Sequence, residues 1–307
     1  MAKDITLYEN LRTTTYVPFY LAIVDGDWEK LGLTVDTQLS PATHETAQAL
    51  IDGRTDVSWG GPMRVMLHHD RDPDCPLVCF GQVVARDPFI LVGRTPKRQF
   101  KFSDLAGKRI AIAKEVPTPW MTFQDDLQRA GIDPNAIDRA PDATMAENVE
   151  RLASGEVDII QVFQPYAELA IRKGAGHIWH RFSERGDIGF TTFYTTNKFA
   201  AENRDVCMKL IQGIMQALNR LQRQSARKTA ERIVSFFPDL ETEALANIIT
   251  GYRKAGLWAR SPELPVSAIV RLKAALLSGG LISRDIPYEN IVDDSIAQDF
   301  LAQNTRA

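Results

Sequence analysis

The sequence predicts an α/β fold of about two domains, built on mostly parallel sheets and closed by a helical C-terminal segment. Three observations carry this. Short β-branched runs alternate with amphipathic runs as far as Asn197, the pattern of βα units feeding a parallel sheet. Beyond Asn197 the strand-like runs stop and helical periodicity takes over. The length, 307 residues, suffices for two cores at roughly 150 residues per domain.

Taken in order, strands are expected at Ile5–Glu9, Leu33–Leu39, Thr55–Trp59, Leu77–Val84, Phe89–Val92, Arg109–Ala113, Val157–Phe163, His177–Phe182 and Phe190–Thr195. From Glu202 onward four or five helices are expected, with breaks at Pro238, near Gly256 and Ser261-Pro262, and at Gly279-Gly280. Proline stands where strands should give way to helices: Val17-Pro18, Ser40-Pro41, Gly61-Pro62, Thr118-Pro119 and Gln164-Pro165. Its fixed φ and missing N–H suit the first helical position. Helix N-termini gathered at the carboxyl edge of a sheet would suit an anion or a carbonyl, although each junction also reads as plain capping.

An internal echo, Leu-x-x-Gly-x-x-Asp-(Val/Ile), appears at Leu50–Val57 and Leu152–Ile159. In both copies a glycine would end a helix in the left-handed region before a strand. Thr144-Met145-Ala146-Glu147 matches a capping box ahead of the second copy.

Composition excludes several classes. Hydrophobic residues are 44% and Lys+Arg 36 against Asp+Glu 39 leaves a net charge of −3, so no basic field exists to hold nucleic acid. The apolar stretch Val17–Val24 is far short of the roughly 20 residues of a membrane span, so no direct membrane insertion is expected. The opening Met1–Leu7 runs straight into strand-like alternation and does not read as a secretory signal. The expected location is therefore the periplasm if a signal peptide has been removed, and otherwise the cytoplasm. Cys75, Cys79 and Cys207 cannot all pair and do not decide the compartment.

Catalytic and metal motifs are scarce. There is no Gly-x-Ser-x-Gly elbow, Gly-x-Gly-x-x-Gly fingerprint, P-loop or His-Glu-x-x-His. His68-His69-Asp70 reads as a solvated helix end, and His177 and His180 fall on opposite faces of a strand. No cofactor, metal or catalytic residue is expected.

Against this background the chain resembles the NMT1/THI5-like and nitrate/sulfonate/taurine group of ABC-transporter substrate-binding proteins, which have the periplasmic-binding-protein fold. The resemblance is carried by Val17-Pro18-Phe19-Tyr20-Leu21-Ala22, Trp28–Val35, Ala49–Val57, Asp104–Ala111, Gly155-Glu156-Val157-Asp158 and Gln164-Pro165-Tyr166-Ala167, and at the end by Gly280-Leu281-Ile282 with Ile291-Val292-Asp293. It implies a type II clamshell of two lobes, residues 1–92 plus 190–307 and residues 93–189, closing on a small anionic or heteroaromatic molecule. A transporter permease is the implied partner. The same fold also serves a biphenyl-sulfinate desulfinase and a fungal pyrimidine-precursor synthase, so a cytoplasmic enzyme on a small aromatic substrate is the alternative, with a cytosolic sensor as a third reading. The desulfinase has a nucleophilic cysteine after its first strand, where this chain has Thr13-Thr14-Thr15, and the synthase's cysteine-rich segment is missing.

On this reading the candidate ligand-binding residues lie at strand ends. Thr14, Thr15 and Tyr16 follow the first strand, His44 the second, and Trp59, Gly60 and Gly61 end the third. Glycine there admits a ligand close to the backbone, or simply makes a tight turn. Trp59 and Trp120 are either walls for a planar ligand or core aromatics. Arg86 would grip a carboxylate or sulfonate unless it pairs locally with an acid. His44 donates to a ligand or faces water. Thr118, Gln164 and Thr192 complete the set, Gln164 as an uncharged hydrogen-bonding group at the end of an apolar strand.

Overall fold

The computed structural model describes residues 3–304. Its strands are β1 (Lys3–Glu9), β2 (Leu33–Leu39), β3 (Val57–Gly60), β4 (Leu77–Arg86), β5 (Ile90–Gly93), β6 (Arg109–Ala111), β7 (Asp138–Arg139), β8 (Ile159–Val162), β9 (His177–Arg181) and β10 (Asp187–Thr196). Only the two-residue β7 escapes the sequence reading. Two exposed residues give no alternation to detect.

The chain divides into two compact units. The first comprises Met1–Arg86, Asp187–Lys273 and Ile282–Ala307, and the second Asp87–Gly186 with Ala274–Leu281. The first unit's sheet has the order β2-β1-β3-β10-β4, with β1 parallel to β2 and β3 and β10 antiparallel to both neighbours. Four strands therefore run one way and one runs back. In the second unit the order is β7-β6-β8-β5-β9, and β5 is the reversed strand. Each reversed strand is the first that the chain lays down on entering, or re-entering, its unit.

Helices α1 (Val17–Val24), α2 (Thr46–Ile51) and α3 (Met63–Arg71) follow the first unit's parallel strands. The second unit holds α4 (Thr118–Arg129), α5 (Met145–Ser154) and α6 (Tyr166–Arg172). Thr144 and Glu147 form the expected capping box of α5, and Gly155 ends that helix at φ 81°. Pro18 and Pro119 sit in first helical turns, while Pro62 and Pro165 precede α3 and α6. Pro41 starts no helix, which corrects the expectation for His44. Residues 41–45 are bends and turns, and the Thr43 carbonyl there accepts Arg64 Nε at 2.6 Å and the Thr46 hydroxyl at 3.3 Å in place of a helical amide.

The C-terminal segment contains α7 (Asn197–Glu202), α8 (Arg204–Arg223), α9 (Ala226–Ile233), α10 (Thr242–Lys254), α11 (Val266–Ser278), α12 (Tyr288–Ile291) and α13 (Asp294–Asn304). Six helices after Glu202 replace the four or five expected. Ser225 caps α9 through the Lys228 amide and splits a run that has neither proline nor glycine to mark the break.

The first unit's core joins α1, α8 and the sheet. Trp28 is fully buried, donates its indole N–H to the Leu210 carbonyl at 3.1 Å, and lies against Gly213, where a Cβ would come within 2.4 Å of the ring. In the second unit Arg185 is buried between Asp87 and Asp126, bonding to both, and Asp87 also accepts the Phe89 amide at 2.8 Å. This network ties together the residues at which the chain enters and leaves that unit. Removing one member of a buried charged group strands the others, so Arg185→Met should lower stability by about 3–5 kcal/mol, read from urea denaturation midpoints at constant slope.

Candidate functional site

The carboxyl ends of β1 and β3 carry a group of buried polar side chains. Parallel pairing sets Tyr8 beside Ser58 and Glu9 beside Trp59, so Asn10 and Gly60 leave the sheet at one level. The chain then turns through Thr13, whose hydroxyl accepts the Thr15 amide, into Thr14–Tyr16 and α1. Beyond Gly60 it passes Gly61-Pro62 into α3.

The Tyr16 hydroxyl donates to Asn10 Oδ1 at 2.6 Å, both residues being almost wholly buried. With its carbonyl side taken, the Asn10 amide turns its NH₂ toward Gly60, where a Cβ would lie 3.3 Å from Nδ2. Tyr194 on β10 donates to Thr46 Oγ1 at 2.6 Å, and the Ser58 hydroxyl bridges the Tyr8 carbonyl and the Tyr194 phenol. Burial pushes the Tyr16 and Tyr194 phenols above the ordinary tyrosine range, so both remain proton donors. Beside them Glu9 is buried and bonded by Tyr20 and Arg12; its carboxyl is raised by burial, and those two bonds oppose the rise.

The structure brings together Thr14, Thr15, Tyr16, Gly60 and Gly61 of the residues anticipated in the first unit. Trp59 lies directly beneath, fully buried and stacked on Phe19 at 4.0 Å with Tyr16 edge-on, and so forms a floor and not an exposed wall. Thr192 is also fully buried, its hydroxyl spent on the Gly81 carbonyl at 2.7 Å. His44 is exposed in its turn. Arg86 is not part of the group. Thr192 pairs with both Gly60 and Gln82, which puts Arg86 four residues further along β4, held by Asp187 at 2.9 Å and the Ala255 carbonyl at 3.2 Å. There it lines a separate cavity of about 450 Å³ with Arg253, Trp258 and Arg260.

The second unit has its own polar group at the start of α4 and α6. Thr118 is buried in the first turn of α4, and Trp120 is half-buried, edge-on to Phe123 and under the Arg139 guanidinium at 5.0 Å. Gln164 is buried at the end of β8, and its Oε1 accepts the Glu168 amide at 2.9 Å. Gln161 on β8 donates to the Pro119 carbonyl and so ties the start of α4 to the sheet.

Asn10, Tyr194 and Arg64, which donate or accept in this region, are absent from the sequence reading. Single polar residues in apolar runs carry no motif. One signal was available for Arg64: a cation in the first turn of a helix opposes the helix dipole, and Pro62-Met63-Arg64-Val65-Met66 is otherwise apolar.

The model of the family described as NMT1/THI5 like matches residues 13–224. The chain belongs to the NMT1/THI5-like family. Among relatives of this family member, "Putative binding protein YtlA" of Bacillus subtilis (strain 168) is 26% identical over 285 residues, covering 92% of this chain and 85% of that protein. The periplasmic aliphatic sulphonate binding protein SsuA of Escherichia coli superposes with a TM-score of 0.77 at 15% identity, covering 97% of this chain and 100% of that one. The desulfurization enzyme DSZB gives 0.69 at 14% identity over 98% and 99% of the two chains. The fold is thus that of the periplasmic binding proteins. Among the described residues no helix is long and apolar enough to cross a membrane, and no three His, Cys, Asp or Glu residues cluster as metal ligands.

The Tyr16–Asn10 bond should be measurable on its own. Tyr16→Phe leaves a buried amide oxygen without its donor, so stability is expected to fall by about 1–3 kcal/mol in chemical denaturation.

Proposed function

We propose that this NMT1/THI5-like protein is the solute-binding component of an ABC importer, capturing a small anionic or heteroaromatic molecule and delivering it to a permease from the periplasmic side. The observation that carries the reading is the set of buried, pre-oriented donors over Gly60 and Gly61 at the carboxyl ends of parallel strands, where open α/β sheets bind ligands. Donors held in place by their own hydrogen bonds lose little entropy on binding, which favours capture. We take the two compact units as the two lobes, and Thr14, Thr15, Tyr16, Gly60 and Gly61 as ligand contacts of the first. The relatives named as binding proteins support this assignment.

The enzyme alternative lacks the cysteine nucleophile at this place. The segment after β1 offers Thr13, Thr14 and Thr15, and all three cysteines are buried elsewhere. Burial pushes the Cys207 thiol up to about 12 and the Cys79 thiol higher still, so neither supplies a thiolate near neutral pH.

Two measurements test the proposal together. In native mass spectrometry the purified protein should hold one unmodified small molecule per chain. Thermal shifts against alkanesulfonates, aromatic carboxylates and an aminopyrimidine should then raise the melting temperature for the matching class, because a ligand at 100 times its Kd stabilises by about 2.7 kcal/mol. Conversion of any of these compounds to product would contradict the reading.

A further inference from the structure

Resting on the solute-binding assignment, we infer that Arg64 is the residue that selects the ligand's charge: it holds an oxyanion in the space over Gly61. Arg64 is only 7% exposed, and among the described residues its side chain makes one hydrogen bond, from Nε to the Thr43 carbonyl at 2.6 Å. Among the described residues no carboxylate lies within ion-pair distance of it. The contrast with Arg185, the other deeply buried arginine, is direct, since Arg185 is matched by two aspartates. A buried cation is costly unless an anion completes it. Arg64 also stands in the first turn of α3, where the helix dipole adds to the positive potential.

The buried Tyr16 and Tyr194 phenols lie within electrostatic reach of the guanidinium, and the place a Gly61 side chain would take stands open beside it. A Cβ on Gly61 would lie 3.6 Å from Nη1 and 3.4 Å from the Phe190 carbonyl, so glycine leaves that space to a ligand atom. The Nε–Thr43 bond holds the fork, its carbonyl coming from the turn at residues 41–45. One residue earlier in the chain, at Gly60, the Asn10 amide has its oxygen occupied by Tyr16 and its NH₂ turned toward the glycine, a second donor with no protein acceptor among the described residues. Glu9, which precedes Asn10 in the chain, is bonded to Arg12 and Tyr20 instead. A planar, permanently charged fork at Gly61 with a neutral donor at Gly60 fits the oxygens of a sulfonate, carboxylate or phosphate.

Isothermal titration of the intact protein with ethanesulfonate, benzoate, phenyl phosphate and the neutral benzamide separates these chemistries. At least one anion should bind and benzamide should not, and the anion that binds identifies the headgroup. Arg64→Gln should weaken that anion by about 30-fold or more, and Arg64→Lys by less, because a point charge replaces the fork. Gly61→Ala keeps the charge, and its backbone suits alanine; it should weaken the anion about 10-fold or more with an unchanged melting temperature, which covers the case of an Arg64 variant that fails to fold. Anion affinity that survives both Arg64→Gln and Gly61→Ala would overturn the inference, as would wild-type protein that binds none of the three anions. Tight binding of a neutral aminopyrimidine unaffected by Arg64→Gln would overturn it while leaving the solute-binding assignment standing. Conversion of a probe to product would remove that assignment itself.

Discussion

The polar end of the first unit rests on an aromatic stack buried beneath it. Phe19 on α1 lies parallel to Trp59 on β3 at 4.0 Å, with Tyr16 edge-on to both and Phe193 edge-on to Phe19. Offset and edge contacts of this kind fix ring orientation as well as burying apolar area. Because Phe19 and Tyr16 lie three residues apart, the stack sets both the entry of α1 and the direction of the Tyr16 hydroxyl. That hydroxyl orients Asn10, and Trp59 delivers Gly60 and Gly61 to the same place. A loosened stack would move every donor above it.

The arrangement divides labour between floor and rim. Apolar burial supplies the stability, while the rim consists of polar groups of which some are fully spent inside the protein and others keep a bond to spare. Tyr194, Ser58 and Thr46 are spent on one another, which makes them scaffold. Asn10 and Arg64 are only partly spent. On the proposed function, this difference in hydrogen-bond accounting, more than burial or residue type, separates binding groups from supporting ones. It also explains the two glycines, since a side chain at either position would stand where the free donors point.

Much of the fold was legible in the sequence because strands buried on both faces read as apolar runs and helix starts carried Pro18, Thr144 and Pro119. What escaped lacked a repeating signal. The two residues of β7 are too few for periodicity, and the break at Ser225 depends on a single cap. Pro41 suggests a helix start before His44, whereas residues 41–45 form a turn whose Thr43 carbonyl is held by Arg64 and Thr46. The candidate site was legible in its backbone, as Thr14–Tyr16 and Gly60-Gly61, and illegible in its side chains. Trp59 was flagged for its aromatic ring, yet its contribution is to carry those glycines. Asn10 and Arg64 are meaningful only once β1 and β3 are paired.

A crystal structure of the protein equilibrated with the anion it binds would test the central claim most directly. The account expects the oxyanion over Gly61, within about 3.2 Å of Arg64 Nη1 and of Asn10 Nδ2, with the Tyr16–Asn10 bond intact. An anion bound elsewhere, with Arg64 still contacting only the Thr43 carbonyl, would contradict it.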